Sequence, residues 1–146
     1  MAIRQVTPAE AARELAATPD AVYLDVRTEP EFAQGHAAGA INIPVVFIKG
    51  PGQMQVNPDF VQVVEKVLTK NRKLMVGCQA GGRSMRACEM LEEAGYTDLT
   101  NVAGGFGGQR DQSGNLVVAG WRESGLPVST DLGDASYEAQ RKKAGL

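Results

Sequence analysis

The residues best suited to chemistry lie together in Leu74-Met75-Val76-Gly77-Cys78-Gln79-Ala80-Gly81-Gly82-Arg83-Ser84. A short apolar run ends at a cysteine, a loop of small residues follows, and an arginine and a serine open a run that reads as a helix. A helix start leaves its first N–H groups without intrahelical partners. Those donors and the helix dipole favour negative charge, so a cysteine there is expected to favour its thiolate form, the nucleophilic one. Gly81 and Gly82 tolerate positive φ, which lets the loop curl until its N–H groups form an anion-binding concavity. Arg83 either adds a fixed positive charge or ties the loop to a carboxylate elsewhere. Ser84 is expected to cap a helix over 85–94, with Gly95 as its left-handed stop. The alternative for Cys78 is a small, inert residue at a strand end, but core packing gives no reason for Gly-Gly-Arg-Ser to follow it.

Cys-Gln-Ala-Gly-Gly-Arg-Ser resembles the active-site loop of single-domain rhodaneses, the thiosulfate sulfurtransferases. Upstream, Tyr23-Leu24-Asp25-Val26-Arg27, Glu29-Pro30-Glu31-Phe32, Gly35-His36 and Gly39-Ala40-Ile41-Asn42-Ile43-Pro44 resemble the family's N-terminal signature. Downstream, Asn101-Val102-Ala103-Gly104-Gly105-Phe106, Gly120-Trp121 and Gly125-Leu126-Pro127-Val128 resemble its closing segment. The resemblance spans roughly residues 3–128. It implies a rhodanese-like three-layer α/β domain over 1–128, with a mainly parallel central sheet and helices on both faces. It also implies a sulfurtransferase that carries sulfane sulfur as a Cys78 persulfide, with the N–H groups of Gln79, Ala80, Gly81, Gly82, Arg83 and Ser84 holding the substrate anion. No metal or organic cofactor is implied. The partners expected are a small-molecule sulfur donor, a thiophilic acceptor such as cyanide or a thiol, and, in one alternative, a sulfur-relay protein that the domain serves as a persulfide carrier. Phosphatases and arsenate reductases of related fold place five residues between cysteine and arginine; here there are four, a loop expected to suit sulfur better than a tetrahedral oxyanion.

Asp25, Arg27 and Glu31 form a charged group upstream. One reading pairs Asp25 or Glu31 with Arg83 to orient the loop; the other pairs the three among themselves across a turn. His36, the sole histidine, is either a base for Cys78 or a structural ring at a corner, and the family's placement of Gly-His favours the second. Cys88 reads as a core-facing residue or as a resolving thiol for oxidised Cys78.

The elements that must position these groups follow from pattern. Ile3–Val6 reads as a strand. Thr7, Pro8 and Glu10 form a capping box with proline at the first helical position, opening a helix to about Ala17. Val22–Val26 is a strand, Glu29–Gln34 a short helix, and Ala40–Ile43 a strand. Val45–Val56 reads as a loop turning at Gly50-Pro51-Gly52, with Val45, Val46, Phe47 and Ile48 at the pocket mouth or on the sheet edge. Asn57 caps and Pro58 opens a second long helix, whose Phe60, Val63, Val64, Val67 and Leu68 recur at helical spacing. Lys73–Gly77 delivers Cys78, and Leu99–Val102 closes the sheet. Residues 107–120 are an insertion ahead of Trp121, read as a small hairpin, with Arg110 a solvated charge or an anion contact. Residues 129–146 form a linker and a short terminal helix with Tyr137 as its one large apolar contact, either docked on the domain, the default, or a partner-binding tail.

The 146 residues, 43% hydrophobic, suit one domain. A net charge of −2 gives no basic footprint for nucleic acid, and no apolar run is long enough for a membrane span. Two cysteines argue against a disulfide framework and suit a reducing compartment. Met1-Ala2-Ile3-Arg4 lacks a signal-peptide core. The expected location is the cytoplasm, or an organelle if a targeting segment has been removed.

Overall fold

The computed structural model describes residues 3–146; Met1 and Ala2, half of the N-terminal stretch read above, lie outside it. Five parallel strands form the central sheet: β1 (Arg4–Val6), β2 (Val22–Asp25), β4 (Ile41–Asn42), β7 (Leu74–Gly77) and β8 (Leu99–Val102), in the order β1-β8-β7-β2-β4. The protein is therefore a mixed α/β domain, as the resemblance implies.

Alternation along the strands decides which side chain meets which layer. Leu74 and Val76 of β7 pack with Leu24 of β2 into one core, covered by α3 (Phe60–Val67), α4 (Gly82–Glu93) and α5 (Tyr137–Lys143). Met75 and Tyr23 point the other way, into a second core with Ala11 of α1 (Pro8–Ala17), Phe32 of α2 (Glu29–Gln34) and Trp121. Both faces of the sheet are covered, the usual condition of an all-parallel sheet.

The first helix starts as its sequence requires. Thr7 Oγ1 accepts the Glu10 N–H, and the Glu10 carboxylate accepts the Thr7 N–H. Three expectations need correction. Residues 46–56 are a hairpin, with β5 (Val46–Gly50) antiparallel to β6 (Gln53–Val56). The second long helix begins later, at Phe60 with Asp59 as its cap residue, and the turn ahead of it is held by Asn57, whose Oδ1 accepts the Asp59 N–H at 3.0 Å. Its Nδ2 donates to Pro44 O (2.9 Å) and to the Tyr137 hydroxyl (3.0 Å), which anchors α5. Finally, α4 starts at Gly82 with Gly81 as its cap residue, so Ser84 lies inside the first turn. The helix does end at Ala94 and Gly95, the latter at φ +102°.

The corner His36–Ala37 is a short strand, β3, paired antiparallel with β11 (Val128–Ser129). The 107–120 insertion holds the hairpin β9 (Gln109–Arg110) and β10 (Leu116–Val118). Its turn is fixed by Asp111, whose Oδ1 accepts the N–H groups of Ser113 and Asn115.

Candidate active site

Cys78 follows the C-terminal end of β7, flanked by β2 and β8, which is where ligands gather in open α/β sheets. The Asp25–Gly77 register brings Asp25 beside the strand end that delivers the cysteine. Cys78 is 2% exposed, and its Sγ accepts the Gly81 N–H at 3.0 Å. Gly81 takes φ +124° to make that turn, a conformation side-chain-bearing residues disfavour. Helix α4 then begins, and the N–H groups of its first turn, from Gly82 to Ser84, have no intrahelical carbonyl to meet. A cleft of about 460 Å³ opens over this loop. It is lined by Cys78, Gln79, Ala80 and Gly82 of the loop and by Arg83 and Arg86 of α4. Val45, Val46, Met54 and Val56 form an apolar wall.

Arg83 does not supply a free charge. Its Nη1 and Nη2 meet the two oxygens of Glu31 at 2.8 and 2.9 Å, a bidentate pair between α4 and α2. Glu31 also accepts the Thr28 N–H at the start of α2 (3.1 Å). Burial alone would raise the Glu31 carboxyl, but the bonds from Arg83 and Thr28 outweigh it and hold the group at about 2. Asp25 pairs instead with Arg27: Nη2 to Oδ2 is 2.8 Å, and both residues are buried. Arg27 also donates to Gly35 O (2.7 Å) and to the Gln79 side chain (3.2 Å), and its guanidinium lies over Phe106, 4.6 Å from the ring centroid. Both readings of the charged group are thus realised, each by a different acid. Asp25–Arg27 is local and steadies Gln79, while Glu31 spans to Arg83.

Ser84 is buried, with its hydroxyl bonded to the Asn101 side chain from β8. Asn101 Nδ2 donates to Gln5 (2.9 Å). His36 is buried, bonded through Nδ1 to Phe32 O (2.7 Å) and stacked on the Phe32 ring at 3.6 Å. It is a structural ring. Cys88 is fully buried, and burial, reinforced by Glu89, pushes its thiol up to about 12. It is therefore neutral at physiological pH and packs as a core residue. Arg110 is exposed and donates within its own hairpin, to Gly114 O. Phe47 and Ile48 lie outside the cleft lining, whereas Met54, Val56, Arg86, Asn101 and Gln109 take part in the site or its support without having been singled out. For Met54 and Val56 the signal was present: apolar residues two apart after a Gly-Pro-Gly turn are a strand pattern. Among the described residues no group of three or more His, Cys, Asp or Glu is placed to hold a metal.

The family model for the rhodanese-like domain matches residues 7–110. The chain belongs to the rhodanese-like domain family. Within this rhodanese-like chain the match takes in β2, α2, the Cys78 loop and the start of the hairpin insertion, and residues 111–146 lie beyond it. Thiosulfate sulfurtransferase 16, chloroplastic, of Arabidopsis thaliana is 41% identical over 106 residues, 73% of this chain and 78% of that protein. The mitochondrial protein HIGH ARSENIC CONTENT 1 of the same plant is 46% identical over 84 residues, 58% of this chain; the match spans about half (49%) of that relative. The crystal structure of Rv0390 from M. tuberculosis superposes with a TM-score of 0.74 at 28% identity, covering 90% of this chain and 100% of that one.

Breaking the Glu31–Arg83 pair is expected to act on stability more than on chemistry. Glu31→Gln should lower stability by about 1–2 kcal/mol, since a half-buried arginine loses its counter-charge. At this chain length that is about 3–6 °C in Tm. The sign with pH follows from the depressed carboxyl. Its contribution is complete above the ordinary value of 4.5 and is lost as pH falls toward about 2. Denaturant melts of wild type and variant should therefore differ near neutrality and converge across that window. Equal stability at neutral pH, with unchanged turnover, would remove the pair from any role in holding the loop.

Proposed function

We propose that this rhodanese-like chain is a thiosulfate sulfurtransferase that moves sulfane sulfur from thiosulfate or a related donor to a thiophilic acceptor, cyanide or a thiol, through a persulfide on Cys78. The observation that carries this reading is the Gly81 N–H bond to Sγ of a cysteine that lines an open cleft. In the first half-reaction the Cys78 thiolate attacks the outer sulfur of thiosulfate. A new S–S bond forms to Sγ, the S–S bond of thiosulfate breaks, and sulfite departs with the bonding pair. In the second, the acceptor attacks the outer sulfur of the persulfide and the Cys78 thiolate leaves. Each half conserves charge and needs no external oxidant or reductant, which is covalent catalysis of the ping-pong kind. The loop N–H groups from Gln79 to Ser84 stabilise the anion in both states. Relatives bearing the name thiosulfate sulfurtransferase support the assignment. A reducing compartment, cytoplasm or organelle, suits the two free cysteines.

The test is intact mass after incubation with thiosulfate. The expected result is a gain of one sulfur, about 32 mass units, lost on addition of cyanide. A full-stoichiometry adduct coupled to a KM for thiosulfate far above about 1 mM, the upper end of usual values, would make the domain a persulfide carrier for a protein partner. No adduct, with turnover of arsenate or a phosphate monoester, would overturn sulfur transfer altogether. Arsenate belongs in that control because one relative is named for arsenic content.

A further inference from the structure

The carbonyl oxygens of three successive loop residues are held from outside. Cys78 O accepts the Phe106 N–H at 2.8 Å, and Gln79 O accepts the Gly107 N–H at 2.9 Å. Ala80 O accepts from the Gln109 side chain, Nε2, at 3.0 Å. All three donors come from residues 106–109, where the chain leaves the Gly104-Gly105 turn for the hairpin insertion. A peptide unit is planar and trans, so each carbonyl points opposite to the N–H of the next residue. Holding the carbonyls of residues 78, 79 and 80 on one side therefore turns the N–H groups of Gln79, Ala80 and Gly81 to the other. The last of these is the one seen on Sγ.

The first two donors are backbone amides, which any residue but proline supplies. The third is a side chain, so residue type matters there. The amide that would continue the series, Gly108 N, is already committed to Gly104 O at 2.7 Å. The peptide that Gln109 holds is also the one most able to rotate, because Gly81 lacks the Cβ that restricts φ.

We propose that Gln109 is a positioning residue for Cys78: its donation to Ala80 O locks the Ala80–Gly81 peptide with its N–H on the sulfur. The inference rests on the reading of Cys78 as the reactive thiolate, and it gives the hairpin insertion a task, that of presenting Gln109 to the loop. Gln109 is exposed and opens β9, opposite Val118. The charged groups around Cys78 are the Arg83–Glu31 pair, Arg86 in the cleft and the Asp25–Arg27 pair behind Gln79. Among the described residues Gln109 bonds none of these, so changing it leaves them in place.

The experiment is the rate of Cys78 alkylation by iodoacetamide across pH, in wild type, Gln109→Met and Val117→Ser, an exposed β10 control in the same hairpin. Methionine keeps the length of the side chain and its neutrality but cannot donate. The expected result for Gln109→Met is a profile displaced to higher pH, with alkylation at neutral pH slowed about fivefold, the worth of one ordinary hydrogen bond. The plateau at high pH and the melting temperature should stay unchanged, and Val117→Ser should match wild type. A Gln109→Met profile superimposed on wild type would overturn the inference, as would an equal displacement in Val117→Ser. Sulfur transfer is measured separately. A wild type that takes up no sulfur while Gln109→Met still shifts the profile sinks the proposed function and leaves the positioning role standing.

Discussion

Cys78→Ser should lose sulfur transfer by about 10³-fold or more while keeping its fold. The hydroxyl occupies nearly the same space and can accept the same Gly81 N–H. It is, however, scarcely ionised at neutral pH, and oxygen is a poor partner for a sulfane sulfur. The informative companion is Cys88→Ser. That residue is fully buried in the core beneath α4, where a new hydroxyl without a partner costs about 1–3 kcal/mol. Cys88→Ser should melt earlier yet retain its turnover per folded molecule and its sulfur adduct. Steady-state assays with thiosulfate and cyanide, read beside thermal melts, separate the two variants. Appreciable turnover in Cys78→Ser, or its loss in Cys88→Ser at a temperature where that variant is folded, would remove Cys78 as the nucleophile.

Gly105→Ala should be damaging to stability and to chemistry together. Gly105 sits at φ +52°, and a Cβ there would collide with the Cys78 carbonyl oxygen and lie 2.9 Å from the Gln79 carbonyl carbon. These are backbone atoms of the reactive loop, so no side chain can rotate away to make room. Overpacking of this type costs about 1–3 kcal/mol, and the left-handed backbone about 1 more, for a fall of about 5–15 °C in Tm. If the loop yields instead, the sulfur moves with it, and a displacement of about 1 Å at a reacting atom costs on the order of 10²-fold in rate. Gly114→Ala is the control. It has φ +84° but open space around it, so it carries the backbone penalty alone. Equal effects at the two glycines would show that contact with the Cys78 loop is not what Gly105 provides.

What could be read from sequence, and what could not, follows from the range of the interactions. The Thr7 capping box, α2 and β8 depend on residues within a few positions of one another, and each falls where its pattern puts it. The start of α3 does not. Asn57 is a good cap by type and its Oδ1 does accept the Asp59 N–H, but its Nδ2 is tied to Pro44 and to Tyr137, eighty residues away, and the helix proper opens only at Phe60. Ser84 was lost as a cap for a similar reason: Gly81 starts the helix earlier, and the serine hydroxyl serves Asn101. The partners of the acids were undecided because Asp25 to Arg27 is a contact of two positions and Glu31 to Arg83 one of fifty-two. Gln109 was invisible altogether, since an exposed glutamine in an insertion has no local pattern to mark it.

The near-complete burial of Cys78 would, on the proposed mechanism, set the empty form apart from the sulfur-loaded one. With the residue 2% exposed, the resting cysteine admits only a narrow, protruding atom, such as the terminal sulfur of a small donor or a flexible tip on a larger one. On the proposed mechanism, loading would extend the side chain by an S–S bond, about 2.05 Å, toward the cleft that Val46, Met54 and Arg86 help to line. Delivery would then be sterically easier than collection. Bulky oxidants and alkylating agents should discriminate between the two forms by shape, with the resting state the better shielded.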